Sequence, residues 1–450
     1  MITETNVSLK TELPGPKSKA LMERRQQSIP NGISSATPIC VAEAHDALLK
    51  DIDGNVFIDF AAGIGVLNVG HTSQEVVKAV QEQAGKVMHT CFMVVMYEPY
   101  LQLAEKLNAL TPGDYPKKTM FFNSGAEAVE NAVKVARRYT KKTGIIALEC
   151  AFHGRTLMTM SLTSKVRPYK LGFGPFAPDT YKIPAPYCYR CRFGLEYPSC
   201  DLTCAKYLKH FFTVEAEAEK IAALIIEPLQ GEGGFIFPPA GYLEEVQKIL
   251  KEHDILLIID EVQSGFARTG KMFCSQHSSI EPDIMAMAKA MAGGTPLSAV
   301  TGRSEIMDTV GPGEVGSTYG GNPMSCAASL KAIEVIEKDD LPSKAVQIGD
   351  TMQSAFKDMQ KRYPIIGDVR GKGAMVAFEL VKDRKTKDPA PEAAKIISQE
   401  CFKNGLIALS AGIYSNVMRF LPPLVVTKEQ LDSALKIIDG AVARAQKEVK

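Results

Sequence analysis

Two apolar runs stand out in the stretch ILLIIDEVQSGFARTGKMFCSQHSSIEPDIMAMAKAMAGG, which spans residues 255–294. Ile255–Ile259 and Ile284–Met287 are short and uncharged, which is typical of strands that are buried on both faces of a parallel sheet. The first charged side chain after each run is Asp260 and Lys289, respectively. Because open α/β sheets bind ligands outside the carboxyl ends of their strands, these two side chains are the first candidates for chemistry.

The same pattern continues upstream of this stretch. Thr119–Phe122, Ile145–Leu148 and Ala223–Ile226 are further strand candidates, and amphipathic helical stretches separate them. Strands that alternate with helices predict an α/β fold with a mainly parallel sheet and helices on both faces. We assign residues 76–336 to this large domain, with a cysteine-rich insertion at about residues 184–206.

The character of the sequence changes from about Glu337. We expect a smaller α+β domain over residues 337–450, joined by an N-terminal segment, residues 1–75, that contains a hairpin. Its predicted elements are the hairpin strands Ala47–Asp51 and Val56–Phe60, helix Ser343–Lys361, strand Ala374–Val381, helix Glu392–Asn404, the short strands Leu406–Leu409 and Val417–Leu421, and a last helix from Lys428.

Charge and hydropathy exclude several classes of protein. The chain has 52 basic and 51 acidic side chains, a net charge of +1 that offers no attraction to nucleic acid or an anionic membrane. No apolar run reaches the roughly 18 residues that would span a bilayer. The polar start, Met1 to Ala20, has no apolar stretch typical of a secretory signal. We therefore expect a cytoplasmic protein.

The residue types at the two strand ends indicate a specific chemistry. Lys289 precedes the turn Ala290–Gly294, where partial desolvation would lower its pKa and make it a nucleophile. Asp260 ends an apolar run, where a carboxylate requires a partner, and such a carboxylate is able to keep a pyridine nitrogen protonated. Taken alone, Lys289 is also consistent with a solvated loop lysine, and Asp260 with a residue that caps a loop.

A third candidate lies where a strand meets a helix. Asn123-Ser-Gly-Ala-Glu127 follows one predicted strand and opens the helical stretch Ala128–Tyr139. Ser124 is a suitable N-cap, and the free N–H groups of Gly125 and Ala126 suit a phosphate at the positive end of the helix. The segment lacks the glycine and lysine spacing of a nucleotide P-loop or a dinucleotide fingerprint.

Seven segments together carry a family resemblance, in family order, from about Arg24 to the last helix. The chain resembles the class III aminotransferases of pyridoxal phosphate (PLP) fold type I, most closely the 4-aminobutyrate aminotransferases. The segments are NSGAEAVEN (123–131), FHGRT (152–156), EPLQGEGG (227–234), DEVQSGFARTG (260–270), AKAMAGG (288–294), GSTYGGNP (316–323) and IGDVRG (366–371).

The resemblance implies a role for each matching residue. Lys289 would hold PLP as a Schiff base and move the proton, and Asp260 would pair with the pyridinium nitrogen. Val262 and Phe152 would cover the ring faces, and Thr318 would reach the phosphate of a partner subunit, which implies a homodimer or a dimer of dimers. The implied cofactor-binding set is Ser124, Gly125, Ala126, Phe152, Asp260, Val262, Gln263 (near the phenolic oxygen), Lys289 and Thr318.

Substrate choice would depend on Ile64, Arg155, Glu232 and Arg419. The resemblance implies that Arg155 binds the carboxylate of 4-aminobutyrate far from the reacting amine. Arg419 would bind the α-carboxylate of glutamate or 2-oxoglutarate, and Glu232 would mask Arg419 when an ω-amino acid is bound. The expected reaction moves the amino group of 4-aminobutyrate to 2-oxoglutarate in a ping-pong sequence, giving succinate semialdehyde and glutamate.

Three other functions remain open. The first is transfer from another ω-amino acid, such as 5-aminovalerate, ornithine or β-alanine, because one methylene changes binding by only about 1–3 kcal/mol. The second is racemisation or epimerisation with the same lysine and cofactor. The third is a regulatory protein on an inactive fold, which the presence of Lys289 and Asp260 disfavours.

Four cysteines form a separate cluster. Cys188, Cys191, Cys200 and Cys204 follow the pattern C-x2-C-x8-C-x3-C. Four thiols so close in a cytoplasmic chain fit a structural zinc ion or an iron–sulfur cluster better than two disulfides. Reduced thiols without a metal are the alternative.

Overall fold

The computed structural model describes residues 2–449, which divide into two compact units. Residues up to Ser73 and from Lys344 onward form one of them, called here the small unit. Gln74–Ser343 form the other, the large unit. No helix in the described chain is both long and apolar enough to cross a membrane.

The β-strands of the described chain follow one another in this order: β1 (Val41–His45), β2 (Leu48–Asp51), β3 (Val56–Asp59), β4 (Lys117–Phe122), β5 (Gly144–Leu148), β6 (Thr180–Ile183), β7 (Ile221–Ile226), β8 (Leu256–Asp260), β9 (Ile284–Met287), β10 (Ser298–Arg303), β11 (Ile366–Lys372), β12 (Met375–Leu380), β13 (Leu406–Ile407), β14 (Leu409–Ala411) and β15 (Val417–Phe420).

The α-helices are α1 (Pro16–Ser28), α2 (Ala62–Gly65), α3 (Gln74–Ala84), α4 (Glu98–Leu110), α5 (Gly125–Thr140), α6 (Leu157–Leu162), α7 (Val166–Tyr169), α8 (Thr203–Val214), α9 (Tyr242–Lys251), α10 (Ser304–Met307), α11 (Pro323–Lys338), α12 (Leu341–Arg362), α13 (Pro391–Lys403) and α14 (Lys428–Glu448).

The large unit is built on a seven-stranded sheet with the order β4-β10-β9-β8-β7-β5-β6. The pairs β6–β5, β5–β7, β7–β8 and β8–β9 are parallel, whereas β10 is antiparallel to both β4 and β9. Every residue of β5, β7, β8 and β9 is buried, which explains their continuous apolar runs. The predicted α/β class with a mainly parallel sheet is confirmed.

The small unit contains two four-stranded sheets, with the orders β1-β2-β3-β13 and β11-β12-β15-β14. The predicted hairpin is present, since Leu48 pairs with Ile58 in antiparallel register. One predicted strand, Leu406–Leu409, was wrong as a single element. Leu406 and Ile407 pair in parallel with β3, whereas Leu409 pairs antiparallel with β15. The chain therefore changes sheets at Ala408.

Candidate active site

Lys289 lies two residues beyond β9 and opens a 3-10 turn, Lys289–Ala292. Its φ is +49°, in the left-handed region, and Gly293 and Gly294 follow with φ of +57° and +112°. A lysine in this region is strained, and such strain is concentrated at functional sites. The side chain is partly buried, so the strained turn holds an amine at the carboxyl end of the parallel sheet.

Asp260 ends the neighbouring strand β8 and pairs in register with Ala286 of β9. The residue is 4% exposed. Its Oδ1 accepts a hydrogen bond from the N–H of Val262 at 3.0 Å, and its Oδ2 lies 2.7 Å from Nδ1 of His153. Because a carboxylate only accepts, Nδ1 of His153 carries the hydrogen. Each oxygen of this buried carboxylate thus has a hydrogen-bond partner, as a buried polar group requires.

His153 was missed as a functional residue by the sequence analysis. It lies in the segment Phe152–Thr156, and the only signal was its place in that motif. Its partner Asp260 is 107 residues away in the chain. Only the parallel sheet brings the two side chains together.

Helix α5 begins as the sequence predicts. The hydroxyl of Ser124 accepts a hydrogen bond from the N–H of Glu127 at 3.3 Å, and the Glu127 carboxylate accepts one from the N–H of Ser124, also at 3.3 Å. This capping box occupies the Ser124 side chain. The N–H groups of Gly125 and Ala126 lie in the first turn, where an α-helix provides no partner for them.

Gly125 also allows a close approach of chain segments. A Cβ at this position would lie 2.9 Å from Cγ1 of Val262, so no other residue fits without movement. The contact brings Val262, two residues after Asp260, to the N-terminus of α5. Gln263 is 7% exposed, and its Oε1 has no hydrogen-bond partner within the described chain. A phosphate-bearing, polar aromatic cofactor suits this set of groups.

Glu227 links two loops of the site. Its Oε1 accepts a hydrogen bond from the N–H of Phe152 at 2.9 Å, and its Oε2 accepts one from the N–H of Gly231 at 2.8 Å. Burial raises the pKa of Glu227, and the negative charge of Asp260 raises it further. Glu227 belongs to the segment EPLQGEGG (227–234), but no separate role was predicted for it. The structure shows that it ties the loop of Phe152 to the loop of Glu232.

The partly buried amine of Lys182 donates a hydrogen bond to the carbonyl of Leu162. The negative charges of Glu227 and Glu149 act to raise the pKa of this amine, but burial has the larger effect. Burial, with a smaller contribution from the positive charge of Lys170, lowers the pKa of Lys182 to about 7. Because the pKa is lowered on folding, the unfolded chain binds more protons than the folded chain between pH 7 and the ordinary lysine pKa of 10.5. Lys182 therefore makes the folding free energy more favourable as the pH rises through this window.

We expect Lys182→Met to remove this pH dependence. Relative to the variant, the wild-type chain should gain about 1.4 kcal/mol of stability per pH unit above pH 7. Urea unfolding followed by circular dichroism at pH 7, 8 and 9 measures the difference. Lys248→Met, at a side chain that is 66% exposed, is the control. Parallel pH profiles of wild type and Lys182→Met would contradict the prediction.

The residues predicted to select the substrate lie in both units. In the large unit, the exposed Arg155 has its guanidinium carbon 4.9 Å from the ring centre of Tyr169. The hydroxyl of Tyr169 donates to Oε2 of Glu232 at 3.2 Å. The structure thus brings Arg155 and Glu232 to one tyrosine, which the sequence analysis did not single out.

The other two predicted substrate residues belong to the small unit. Ile64 lies in α2 with a left-handed φ of +67° and is 45% exposed. Arg419 lies in β15, between Ala377 of β12 and Leu409 of β14, and is 5% exposed. In the large unit, Thr318 is exposed and lies between α10 and α11.

The metal site predicted from the cysteine spacing is not supported. Cys188, Cys191, Cys200 and Cys204 do line one small cavity. However, within residues 2–449 no group of three or more His, Cys, Asp or Glu side chains could hold a metal ion. Burial raises the pKa of Cys204 to about 11, which favours the thiol over the thiolate that a metal requires. Close spacing along the chain did not produce a ligand set, because the four residues are spread over a 3-10 turn, a loop and α8.

Comparisons with known proteins agree with this geometry. The family model for aminotransferase class III matches residues 31–442. A Bacillus subtilis protein described as a probable 4-aminobutyrate aminotransferase is 44% identical over 420 residues, 93% of this chain and 96% of the relative. A 5-aminovalerate aminotransferase of Pseudomonas aeruginosa is 43% identical over 421 residues, 94% of this chain and 97% of the relative.

Solved structures extend the comparison to the fold. A crystal structure of a Bacillus anthracis aminotransferase superposes with a TM-score of 0.89 at 32% identity and covers 97% of this chain and 100% of that one. The fold and the site define an enzyme that transfers amino groups. The chain belongs to the class III aminotransferase family, and this family implies PLP as the cofactor.

Proposed function

We propose that this enzyme moves the amino group of 4-aminobutyrate to 2-oxoglutarate and yields succinate semialdehyde and glutamate. The observation that carries the proposal is the environment of Arg155. Its guanidinium faces the Tyr169 ring, and no carboxylate within residues 2–449 forms an ion pair with it. A planar guanidinium held by its face presents its N–H edge to a substrate carboxylate. The relative from Bacillus subtilis, named for this activity, supports the assignment.

The residues of the site fit PLP, which when bound acts as an electron sink for the carbon that bears the amino group. Lys289 would hold the cofactor covalently and carry the proton that leaves and returns. Asp260, held by His153 and the N–H of Val262, would keep the pyridine nitrogen protonated. The remaining proposed contacts are the ring faces with Phe152 and Val262, the phenolic oxygen with Gln263, and the phosphate with the helix start Ser124, Gly125 and Ala126.

We assign the substrate carboxylates by the same logic. Arg155 would bind the carboxylate at the far end of both 4-aminobutyrate and 2-oxoglutarate. Arg419 is proposed for the second carboxylate of 2-oxoglutarate and glutamate, and Ile64 for contact with the substrate. Masking of Arg419 by Glu232 stays a prediction from the sequence.

A second donor, 5-aminovalerate, is favoured by one observation. The relative from Pseudomonas aeruginosa is named for that substrate and is almost as similar, at 43% identity. The two donors differ by one methylene, which an apolar pocket distinguishes by only about 10- to 200-fold.

Incubation with 4-aminobutyrate and 2-oxoglutarate tests the proposal directly. We expect glutamate and succinate semialdehyde in equal amounts, with ping-pong kinetics. Parallel reactions with 5-aminovalerate, ornithine and β-alanine rank the donors by kcat/KM. If the enzyme racemises one amino acid and forms no glutamate from any of these donors, the proposed transfer of an amino group to 2-oxoglutarate is wrong.

Arg155→Lys is expected to raise the KM for 4-aminobutyrate and for 2-oxoglutarate by about 10- to 100-fold, with a smaller change in kcat. Lysine keeps the positive charge but loses the two-pronged contact, and a charge-assisted hydrogen bond contributes about 1.5–3 kcal/mol. Steady-state kinetics with each substrate varied in turn measure the effect. Arg138→Lys, on the exposed side of α5, is the control. An unchanged KM would remove Arg155 from the substrate site.

We propose a homodimer or a dimer of dimers as the active form. Exposed apolar side chains near the start of the large unit support this, because patches of this kind mark interaction surfaces. They are Met88, Met93, Val94, Val95 and Met96. Thr318 would then bind the phosphate of a partner's cofactor. A cytoplasmic location stays a prediction from the sequence.

A further inference from the structure

Tyr169 contacts three residues of the candidate active site. Its hydroxyl donates to Oε2 of Glu232 at 3.2 Å. One face of its ring lies 4.9 Å from the guanidinium carbon of Arg155. Its ring centre is also 4.9 Å from that of Phe152, with an angle of 61° between the planes. One side chain thus connects two residues proposed to choose the substrate and one proposed to cover the cofactor.

Contacts outside the site hold Tyr169 in place. It ends α7, a single turn that is distorted at Arg167, where φ is −97° and ψ is 131°. Such a short helix gives no rigidity of its own. Instead, the next residue, Lys170, donates from Nζ to the carbonyl of Thr163 at 3.2 Å and lies 4.7 Å from the ring centre of Phe176. These two contacts anchor the backbone directly after Tyr169.

We propose that Tyr169 is a positioning residue that sets substrate selectivity, because its ring orients Arg155 and its hydroxyl holds Glu232. The inference rests on the proposed function, in which Arg155 binds a carboxylate, and on the predicted masking of Arg419 by Glu232, which ends when a second carboxylate binds. A cation–π contact uses the flat face of the guanidinium, so the N–H edge stays available to the substrate. The ring thus orients Arg155 for every substrate with a distal carboxylate.

The hydroxyl acts on only one class of substrate. When an ω-amino acid binds, Glu232 remains in place, and the hydrogen bond from Tyr169 helps to keep it there. When glutamate or 2-oxoglutarate binds, Glu232 has to move, and this hydrogen bond must break. The hydroxyl therefore favours ω-amino acids over dicarboxylates, and the ring favours both.

Two variants separate the ring from the hydroxyl. Tyr169→Phe keeps the ring and removes the hydroxyl, whereas Tyr169→Leu removes both. The first half-reaction of the holoenzyme is followed by the cofactor absorbance, with 4-aminobutyrate and with glutamate as separate donors. Tyr181→Phe is the matched control, since its ring lies against Phe211 in the same unit.

For Tyr169→Phe we expect the ratio of kcat/KM for 4-aminobutyrate to kcat/KM for glutamate to fall about tenfold, the typical effect of one hydrogen bond to a charged group. The loss should occur with 4-aminobutyrate, and the value for glutamate should stay within about threefold or rise. For Tyr169→Leu we expect KM to rise about tenfold for both donors, with a much smaller change in kcat. A tenfold rise is the size of effect expected when a cation–π contact with a guanidinium is lost. In Tyr169→Phe, which keeps the ring, the KM for glutamate should be close to the wild-type value.

Equal losses for both donors in Tyr169→Phe, or wild-type kinetics in Tyr169→Leu, would overturn the inference. A wild-type enzyme that reacts with glutamate but not with 4-aminobutyrate would overturn the proposed donor instead. In that case the KM for glutamate still decides the role of the ring. The role of the ring is supported if the KM for glutamate is raised in Tyr169→Leu and is close to the wild-type value in Tyr169→Phe. It is rejected if the two variants have the same KM for glutamate.

Discussion

Replacement of Lys289 by alanine is expected to lower turnover at least about 10⁴-fold. The lysine is proposed both to hold the cofactor and to move the proton, and proton transfer by a positioned group alone contributes about 10²- to 10⁴-fold. The strained φ of +49° indicates that the surrounding turn is built to hold this side chain. Glutamate formation from 4-aminobutyrate and 2-oxoglutarate measures the loss, and the absorbance spectrum reports whether the cofactor is still bound.

The variant should still fold and retain cofactor without a covalent bond. Circular dichroism and size-exclusion chromatography test folding, so that a loss of activity is not mistaken for a loss of structure. Lys248→Ala replaces an exposed lysine of α9 and should keep full activity. Full activity in Lys289→Ala would disprove the proposed mechanism as a whole.

Asp260→Asn is expected to lower kcat about 10²- to 10³-fold, the usual effect of removing one electrostatic partner of the reacting group. Asparagine has the same shape and is able to accept the N–H of Val262, but it carries no negative charge to keep a ring nitrogen protonated. His153, whose Nδ1 lies 2.7 Å from Oδ2 of Asp260, would then face a neutral amide in place of a carboxylate. Single-turnover measurements with saturating donor separate this effect from a change in binding.

Asp308→Asn is a matched control, because Asp308 forms an exposed ion pair with Lys118. An exposed ion pair contributes only about 0–1 kcal/mol to stability, so Asp308→Asn should keep the wild-type rate. If Asp260→Asn reacts at the wild-type rate, the role of Asp260 is limited to holding His153, and the assignment to the pyridine nitrogen is wrong.

Most strands of the large unit were predicted correctly because buried parallel strands leave a clear apolar run. Ile284–Met287 was predicted with its observed bounds, and the start of β8 differs by one residue. β6 and β10 were missed. β6 is partly buried over most of its length, and the sequence of β10, SAVTGR, has neither a long apolar run nor a strict alternation. Patterns of periodicity are weakest for such strands.

The groups around the predicted residues could not be derived in this way. His153 contacts Asp260 over 107 residues, Glu227 contacts Phe152 over 75, and Tyr169 contacts Glu232 over 63. No local spacing encodes such contacts, since they depend on which strand ends are neighbours in the sheet. The cysteines illustrate the opposite error, because close spacing in the chain did not bring four thiols into the geometry of a metal site.

The amino-acid sequence alone determined the fold class, the capped start of α5 and the place of Lys289 and Asp260 at strand ends. These features depend on short-range patterns: apolar runs, a capping box and paired glycines. The tertiary structure alone decided which polar groups meet. It put His153 on Asp260, joined two loops through the buried Glu227 and brought Arg155 and Glu232 to Tyr169. Burial and distance control charge and orientation, and both are properties of the folded chain.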